Sequence, residues 1–180
     1  MPTLRLINIT FNVAMTITIK LNLDHLNNLD LSPAVTAIEK LLQAGAIASY
    51  EQQLDFDINY PREPQDPREL SEIPEVRLWF IRLDARYPWL PFLLNWKAGE
   101  LARYAAMLVP HQFSTKDGIQ YNPEALEIFV MQKLFVLMNW MQQQGIESKS
   151  RLKSMTQMLG YELDDGLFDL IAMNNWKGSR

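Results

Sequence analysis

Two stretches in the first third of the chain alternate apolar and polar residues. Met15 to Leu23 sets Ile17, Ile19, Leu21 and Leu23 against Thr16, Thr18, Lys20 and Asn22. Gln53 to Tyr60 sets Leu54, Phe56, Ile58 and Tyr60 against Asp55, Asp57 and Asn59. A period of two with β-branched and aromatic residues on one side predicts two half-buried strands. Between them the spacing changes. Ser32-Pro33 supplies a helix cap and first-turn proline, Ala34, Val35, Ala37, Ile38, Leu41 and Leu42 make an apolar face, and Gly45 is a stop.

Downstream the pattern becomes helical. Val76 to Leu94 is ambiguous: Pro74 followed by Glu75 favours a helix to about Arg86, although Val76, Leu78 and Phe80 would also fit a buried strand. Trp96 to Leu108 reads as a helix with Ala98, Leu101, Ala102, Ala105 and Leu108 inward. Asn122-Pro123-Glu124-Ala125 opens another that runs to about Gln144, apolar nearly all round from Leu126 to Met141, which predicts the buried centre of the fold. Gly145 ends it. Further helices are expected over Ser148 to Leu159 and Asp164 to Met173. The expectation is one α+β domain over residues 15–173, a small N-terminal β-sheet followed by a helical bundle around a buried central helix. Residues 1–14 are read as a non-core N-terminal extension and 174–180 as a C-terminal tail.

Composition narrows the chemistry. The 180 residues carry a formal charge of −4, which gives no general attraction to nucleic acid or anionic lipid. With no cysteine, disulfides, thiolate catalysis and cysteine-held metal clusters in this chain are excluded. His25 and His111 lie far apart, without the spacing of a paired-histidine metal site. No catalytic, cofactor-binding or metal-binding signature is present. The most apolar stretch, Val76 to Leu94, is broken by Arg77, Arg82, Asp84, Arg86, Pro88 and Pro91, so the sequence reads as a soluble protein.

Two adjacent segments remain as candidate functional surface. Prolines at 61, 64, 67 and 74 forbid regular structure there, apart from one possible turn over Arg68 to Ile73. Glu51 to Glu75 holds eight acidic residues against two arginines, a local charge of −6. This stretch is either a solvated linker or an acidic docking strip for a basic or metal-loaded partner, with Arg62, Glu63, Asp66, Arg68 and Glu69 at its centre. Next to it, Val76 to Phe113 holds eight of the nineteen aromatic residues, interleaved with arginines. Trp79, Trp89, Arg82, Arg86 and Arg103 are candidates for partner binding, since Trp and Arg are enriched in binding hot spots; the competing reading is core packing. His111, in a Pro-His-Gln turn, reads as a hydrogen-bonded surface residue that could join such a surface. The helix pair at Ser148 to Met173 mimics a DNA-binding motif, but its basic residues sit in the wrong helix.

Several strings in the chain are long and of low degeneracy. They include Glu51-Gln52-Gln53-Leu54, Tyr60-Pro61-Arg62-Glu63-Pro64, Asp66-Pro67-Arg68-Glu69-Leu70 and Ile73-Pro74-Glu75-Val76-Arg77-Leu78-Trp79-Phe80. They continue with Tyr87-Pro88-Trp89-Leu90-Pro91-Phe92, Gly99-Glu100-Leu101-Ala102-Arg103-Tyr104, Leu108-Val109-Pro110-His111-Gln112-Phe113 and Asn122-Pro123-Glu124-Ala125-Leu126-Glu127. On these strings, from Met15 to about Ile171, the chain resembles the chlororespiratory reduction six family of cyanobacteria and chloroplasts. The resemblance implies a non-catalytic assembly factor of the photosynthetic NADH-dehydrogenase-like complex. Its implied client is the ferredoxin-like iron–sulphur subunit NdhI, met in the cytoplasm of cyanobacteria or the stroma of plastids. No cofactor and no catalytic residue comes with it. Two other readings stay open: an enzyme in which Arg82, Arg103, His111 and carboxylates converge in a deep pocket, and a generic interaction scaffold.

Overall fold

The computed structural model describes residues 16–177, with side chains through Ile171; the segment read as a non-core extension lies outside the described residues. Strand β1 (Ile17–Leu21) pairs in parallel with β2 (Leu54–Ile58), Ile17 opposite Leu54 and Leu21 opposite Ile58. Parallel strands need a crossover. Helices α1 (Leu23–Asn27) and α2 (Ser32–Gln43) and a 3-10 turn at Ile47–Tyr50 supply it. β1 stops short of the predicted Leu23 because Asn22 is diverted to cap α1: its side chain accepts from the His25 amide, and His25 Nδ1 accepts from the Asn22 amide.

The far edge of β2 is met by a returning segment. Leu54 donates to the Leu93 carbonyl at 2.8 Å and accepts from the Asn95 amide at 2.9 Å. Helix α3 (Pro74–Arg86) settles the ambiguous segment as helix. It lays Trp79 and Phe80 against Phe56 of β2, all three rings in edge-on contact with centroids 5.0–5.9 Å apart.

The next helix is shorter than its pattern predicts. Trp96–Ala98 forms a 3-10 turn, Gly99 takes φ 78°, and only α4 (Glu100–Leu108) is α-helical. A left-handed residue cannot continue an α-helix, and glycine adopts that conformation without a Cβ clash. A hairpin follows, β3 (His111–Ser114) against β4 (Gly118–Tyr121), with Phe113 opposite Ile119. Neither strand is evident in the apolar pattern.

Helix α5 (Pro123–Gln143) packs Leu126, Phe129, Val130, Leu134, Leu137 and Met141 into the core. Its opposite face is not buried, with Ile128 70% and Phe135 48% exposed. The central helix is therefore one-sided, although its sequence is apolar all round. Helices α6 (Lys149–Met158) and α7 (Asp165–Lys177) close the chain, α7 running four residues past the predicted end at Met173. One continuous hydrophobic cluster runs from Ile19 to Ile171. The mixed arrangement, a small N-terminal sheet and then helices, is the expected α+β class.

Candidate partner-binding surface

The proline-rich connection between β2 and α3 is a strap with its own internal fastenings. The Arg62 guanidinium donates to the Arg68 carbonyl across the first turn. Asp66 accepts from the Arg68 amide at 3.1 Å and from its guanidinium through both oxygens, at 3.0 and 2.7 Å. These bonds stabilise the carboxylate form and hold the Asp66 pKa down at about 2. Glu69 and Glu72 cap each other's backbone around the 3-10 turn Leu70–Glu72, with the Glu69 amide donating to Glu72 Oε2 at 2.6 Å. That turn lies within the predicted Arg68 to Ile73.

Two bonds moor the strap to the body. The Ser71 hydroxyl is 2.7 Å from His111 Nε2, and His111 Nδ1 is 3.3 Å from the Val109 carbonyl. With the proton on Nδ1 donated to Val109, Nε2 accepts from Ser71. Arg77 donates to the Ser71 carbonyl at 2.9 Å and to the Ala106 carbonyl of α4 at 3.2 Å. The Ser71–His111 pair has the reach of a nucleophile and its base. However, Ser71 is only 4% exposed, and the open cleft of about 340 Å³ beside His111 is lined by Pro110, Gln112, Gln120, Tyr121 and Asn122 rather than by Ser71. The pair serves as a latch.

The structure brings Arg62, Glu63, Asp66, Arg68 and Glu69 onto one strap and ties His111 to it through Ser71. Glu63, Arg62 and Arg68 are exposed, Asp66 and Glu69 half-buried. The two tryptophans are elsewhere. Trp79 has no exposed surface and its indole donates to the Asp30 carbonyl at 2.7 Å; Trp89 stacks on Trp140 at 4.6 Å. Both pack into the core, Trp79 completely and Trp89 nearly so, which is the arrangement the packing reading expects at these two positions. Arg82 and Arg86 project from α3. Arg86 Nε donates to the Tyr87 oxygen, whose hydroxyl donates to Glu39 at 2.7 Å.

Arg103 lies on α4, 2.6 Å from Glu100. Glu100 is buried behind Gly99. Burial raises its pKa, Arg103 and the Phe56 amide oppose that, and the neighbouring Asp55 carboxylate adds to it. The cleft at His111 is lined by neither Arg82 nor Arg103, so the convergence that the enzyme reading needs is not found there.

One polar centre is absent from the sequence reading. Lys133 of α5, 1% exposed, pairs with Asp84 of α3, which also accepts from the Tyr104 hydroxyl of α4. Lys133 further donates to the Pro88 carbonyl at 3.2 Å. Burial lowers the Lys133 pKa against the opposing pull of Asp84, and raises that of Tyr104 well above its ordinary value. This node fastens three helices. Its one sequence signal is a lone cation inside an otherwise apolar helix.

Among the described residues no helix is long and apolar enough to cross a membrane, and no cluster of three or more acidic or histidine side chains forms a metal-binding group. What the fold and the strap define is an α+β protein whose distinctive chemistry lies on its surface. A profile of the chlororespiratory reduction 6 family matches residues 21–170, from the last residue of β1 through β2, the strap and all but the end of the helical part. The chain belongs to that family, whose members act in assembly or maturation of the NADH-dehydrogenase-like complex. No solved structure matches it.

Proposed function

We propose that this protein is a non-catalytic assembly factor that binds the ferredoxin-like iron–sulphur subunit NdhI, in the cytoplasm, before that subunit joins its complex. A single α+β unit over residues 15–173 would carry the binding surface. Family membership supports the assembly role; the client and the surface are our reading. The observation that carries the surface is the fastening of the strap. An irregular acidic segment normally loses conformational entropy when a partner orders it. Here Arg62, Asp66, Glu69, Glu72 and the Ser71–His111 latch have already ordered it, so Glu63 and its neighbours stand in a fixed array. A cysteine-free surface also offers no thiolate to compete for a client's cluster.

The test is the affinity of purified NdhI for wild-type protein and for Glu63→Lys, measured by calorimetry at two salt concentrations. The Glu63 side chain is exposed and holds no bond, while its carbonyl keeps the Asp66 amide at 2.9 Å whatever the side chain, so its reversal leaves the strap intact. Weakening of about three- to tenfold, larger at low salt, is expected for an exposed charge. Simultaneous reversal of Glu63, Asp66 and Glu69 should weaken binding further, because it also breaks the Asp66 and Glu69 fastenings that hold the strap in its fixed array. Equal affinities would remove the strap from the interface. Failure of the wild-type protein to bind the subunit at all would remove the client.

A further inference from the structure

Helix α6 faces two turns of the chain across a groove. Ser150, Ser154, Gln157 and Met158 form the helix wall; the Glu51–Gln52 turn before β2 and the 3-10 turn Trp96–Ala98 form the other. Two open clefts of about 320 and 380 Å³ lie along it and share Gln52 and Ser154. From Ser150 to Met158 the groove follows about 12 Å of helix axis, the length of about four residues of extended chain.

Gln52 is held there at a conformational cost. Its φ is 54°, in the left-handed region that disfavours any residue with a Cβ. Leu29, at 51°, is the other such non-glycine residue among those described, and its side chain packs against the core. The Gln52 side chain instead lines both clefts and makes no hydrogen bond among the described residues. Its main-chain bond, from the amide to the Phe92 carbonyl at 3.1 Å, needs no particular side chain. Glycine would avoid the strain; glutamine adds an amide that both donates and accepts.

The rest of the lining sorts by charge. At one end Arg151 bonds Glu51 at 2.9 Å and Glu147 at 3.3 Å, which leaves one carboxylate in excess. At the other, Lys97 is the one charged lining residue among those described, exposed and without an ion pair. Lys149 and Lys153 of α6 are paired with Asp165. Beside Lys97 lie Met158, 56% exposed, and Trp96, whose indole N–H is committed to the Pro91 carbonyl so that its ring offers an apolar surface. Gln157 is exposed, with no side-chain hydrogen bond among the described residues.

We propose that this groove binds an extended peptide of a partner protein, with a carboxylate at Lys97 and an apolar side chain against Trp96 and Met158. Gln52 and Gln157 hold the peptide's main chain, since a side-chain amide matches the donor and acceptor of a peptide group. The excess carboxylate at Arg151 fixes the direction: it repels an acidic residue from that end and leaves Lys97 to receive it. This proposal rests neither on the strap nor on the identity of its client.

The probe is a blocked peptide of about eight residues with two leucines and two glutamates at its centre, compared with its lysine counterpart. Binding is followed by NMR on the full chain, through the side-chain amides of Gln52 and Gln157 and the Trp96 indole N–H. The glutamate peptide should shift all of these signals and bind about three- to tenfold more tightly than the lysine peptide. Lys97→Glu should reverse that preference. Gln52→Gly should weaken binding of the glutamate peptide about tenfold while raising the urea midpoint, because it relieves the left-handed residue. The proposal is overturned if neither peptide shifts these signals at millimolar concentration, or if the lysine peptide binds equally well. A lower midpoint for Gln52→Gly would also overturn it, by making that side chain structural. So would N-acetylglutamate binding as tightly as the peptide, since the site would then take a small carboxylate.

Discussion

Lys133 on α5 and Asp84 on α3 form an ion pair in which the lysine is 1% exposed and the aspartate opens slightly to solvent. Removing one member strands the other's charge in the core, whereas the pair as a whole contributes little over an apolar replacement. Lys133→Ala is expected to destabilise the fold by about 3–5 kcal/mol. Asp84→Asn should also destabilise it strongly by leaving the ammonium unpaired. Lys133→Met combined with Asp84→Asn should lose less than the sum of the single changes. Urea unfolding of the single and double variants measures this coupling; additive losses would mean that the pair does not act as a unit.

The Ser71–His111 latch predicts a local effect. His111→Ala leaves a buried hydroxyl without its acceptor, at a cost of about 1–3 kcal/mol. Loosening should concentrate in the strap, so amide exchange over residues 60–73 should quicken while the protection of α5 changes little. Uniform quickening across the chain would argue for a global role instead.

Asp66 makes the strap sensitive to acid. Its folded pKa of about 2 lies below the ordinary 3.8, so its contribution is present above 3.8 and lost as pH falls towards 2. Carboxyl-carbon NMR should place its midpoint near the lower value. Arg68→Ala should return that midpoint towards 3.8, because the Arg68 guanidinium is the largest cause of the shift.

Glu100 has the opposite sign. Its folded pKa is raised above 4.5 by burial, so the folded state holds its proton more tightly than the unfolded chain does. That contribution is fully present below 4.5 and is lost as pH rises through the raised value. Glu100→Gln should flatten the fall in stability over that interval, as seen in denaturation midpoints on a pH series. An unchanged slope would show that Arg103 offsets the burial completely.

The legible parts of the fold were those set by local periodicity. Ile17, Ile19 and Leu21 alternate with polar residues because one side of the sheet is covered, and the proline spacing of the strap rules out regular structure by itself. The hairpin was less visible because His111, Gln112, Ser114 and Gln120 are polar on a half-exposed ladder; its remaining signal was the Asp117-Gly118 turn, with Gly118 at φ 74°. Trp79 and Trp89 could be weighed as surface or core but not decided, since burial depends on what packs across from them. The partner of Lys133 lies 49 residues away. That pairing is a property of three converging helices, and no local pattern encodes it.

The ladder through Leu54 has a consequence for a cut chain. β2 is bonded to β1 on one side and to Leu93–Asn95 on the other, so the strap leaves and the chain returns at the same strand. A single protease nick at Gln65, which is exposed, would therefore separate two pieces that remain zipped together through main-chain bonds and the Phe56–Trp79–Phe80 contact. Residues 1–65 and 66–180, expressed as independent polypeptides, are expected to reassociate without a covalent link, which co-purification of the two pieces would check.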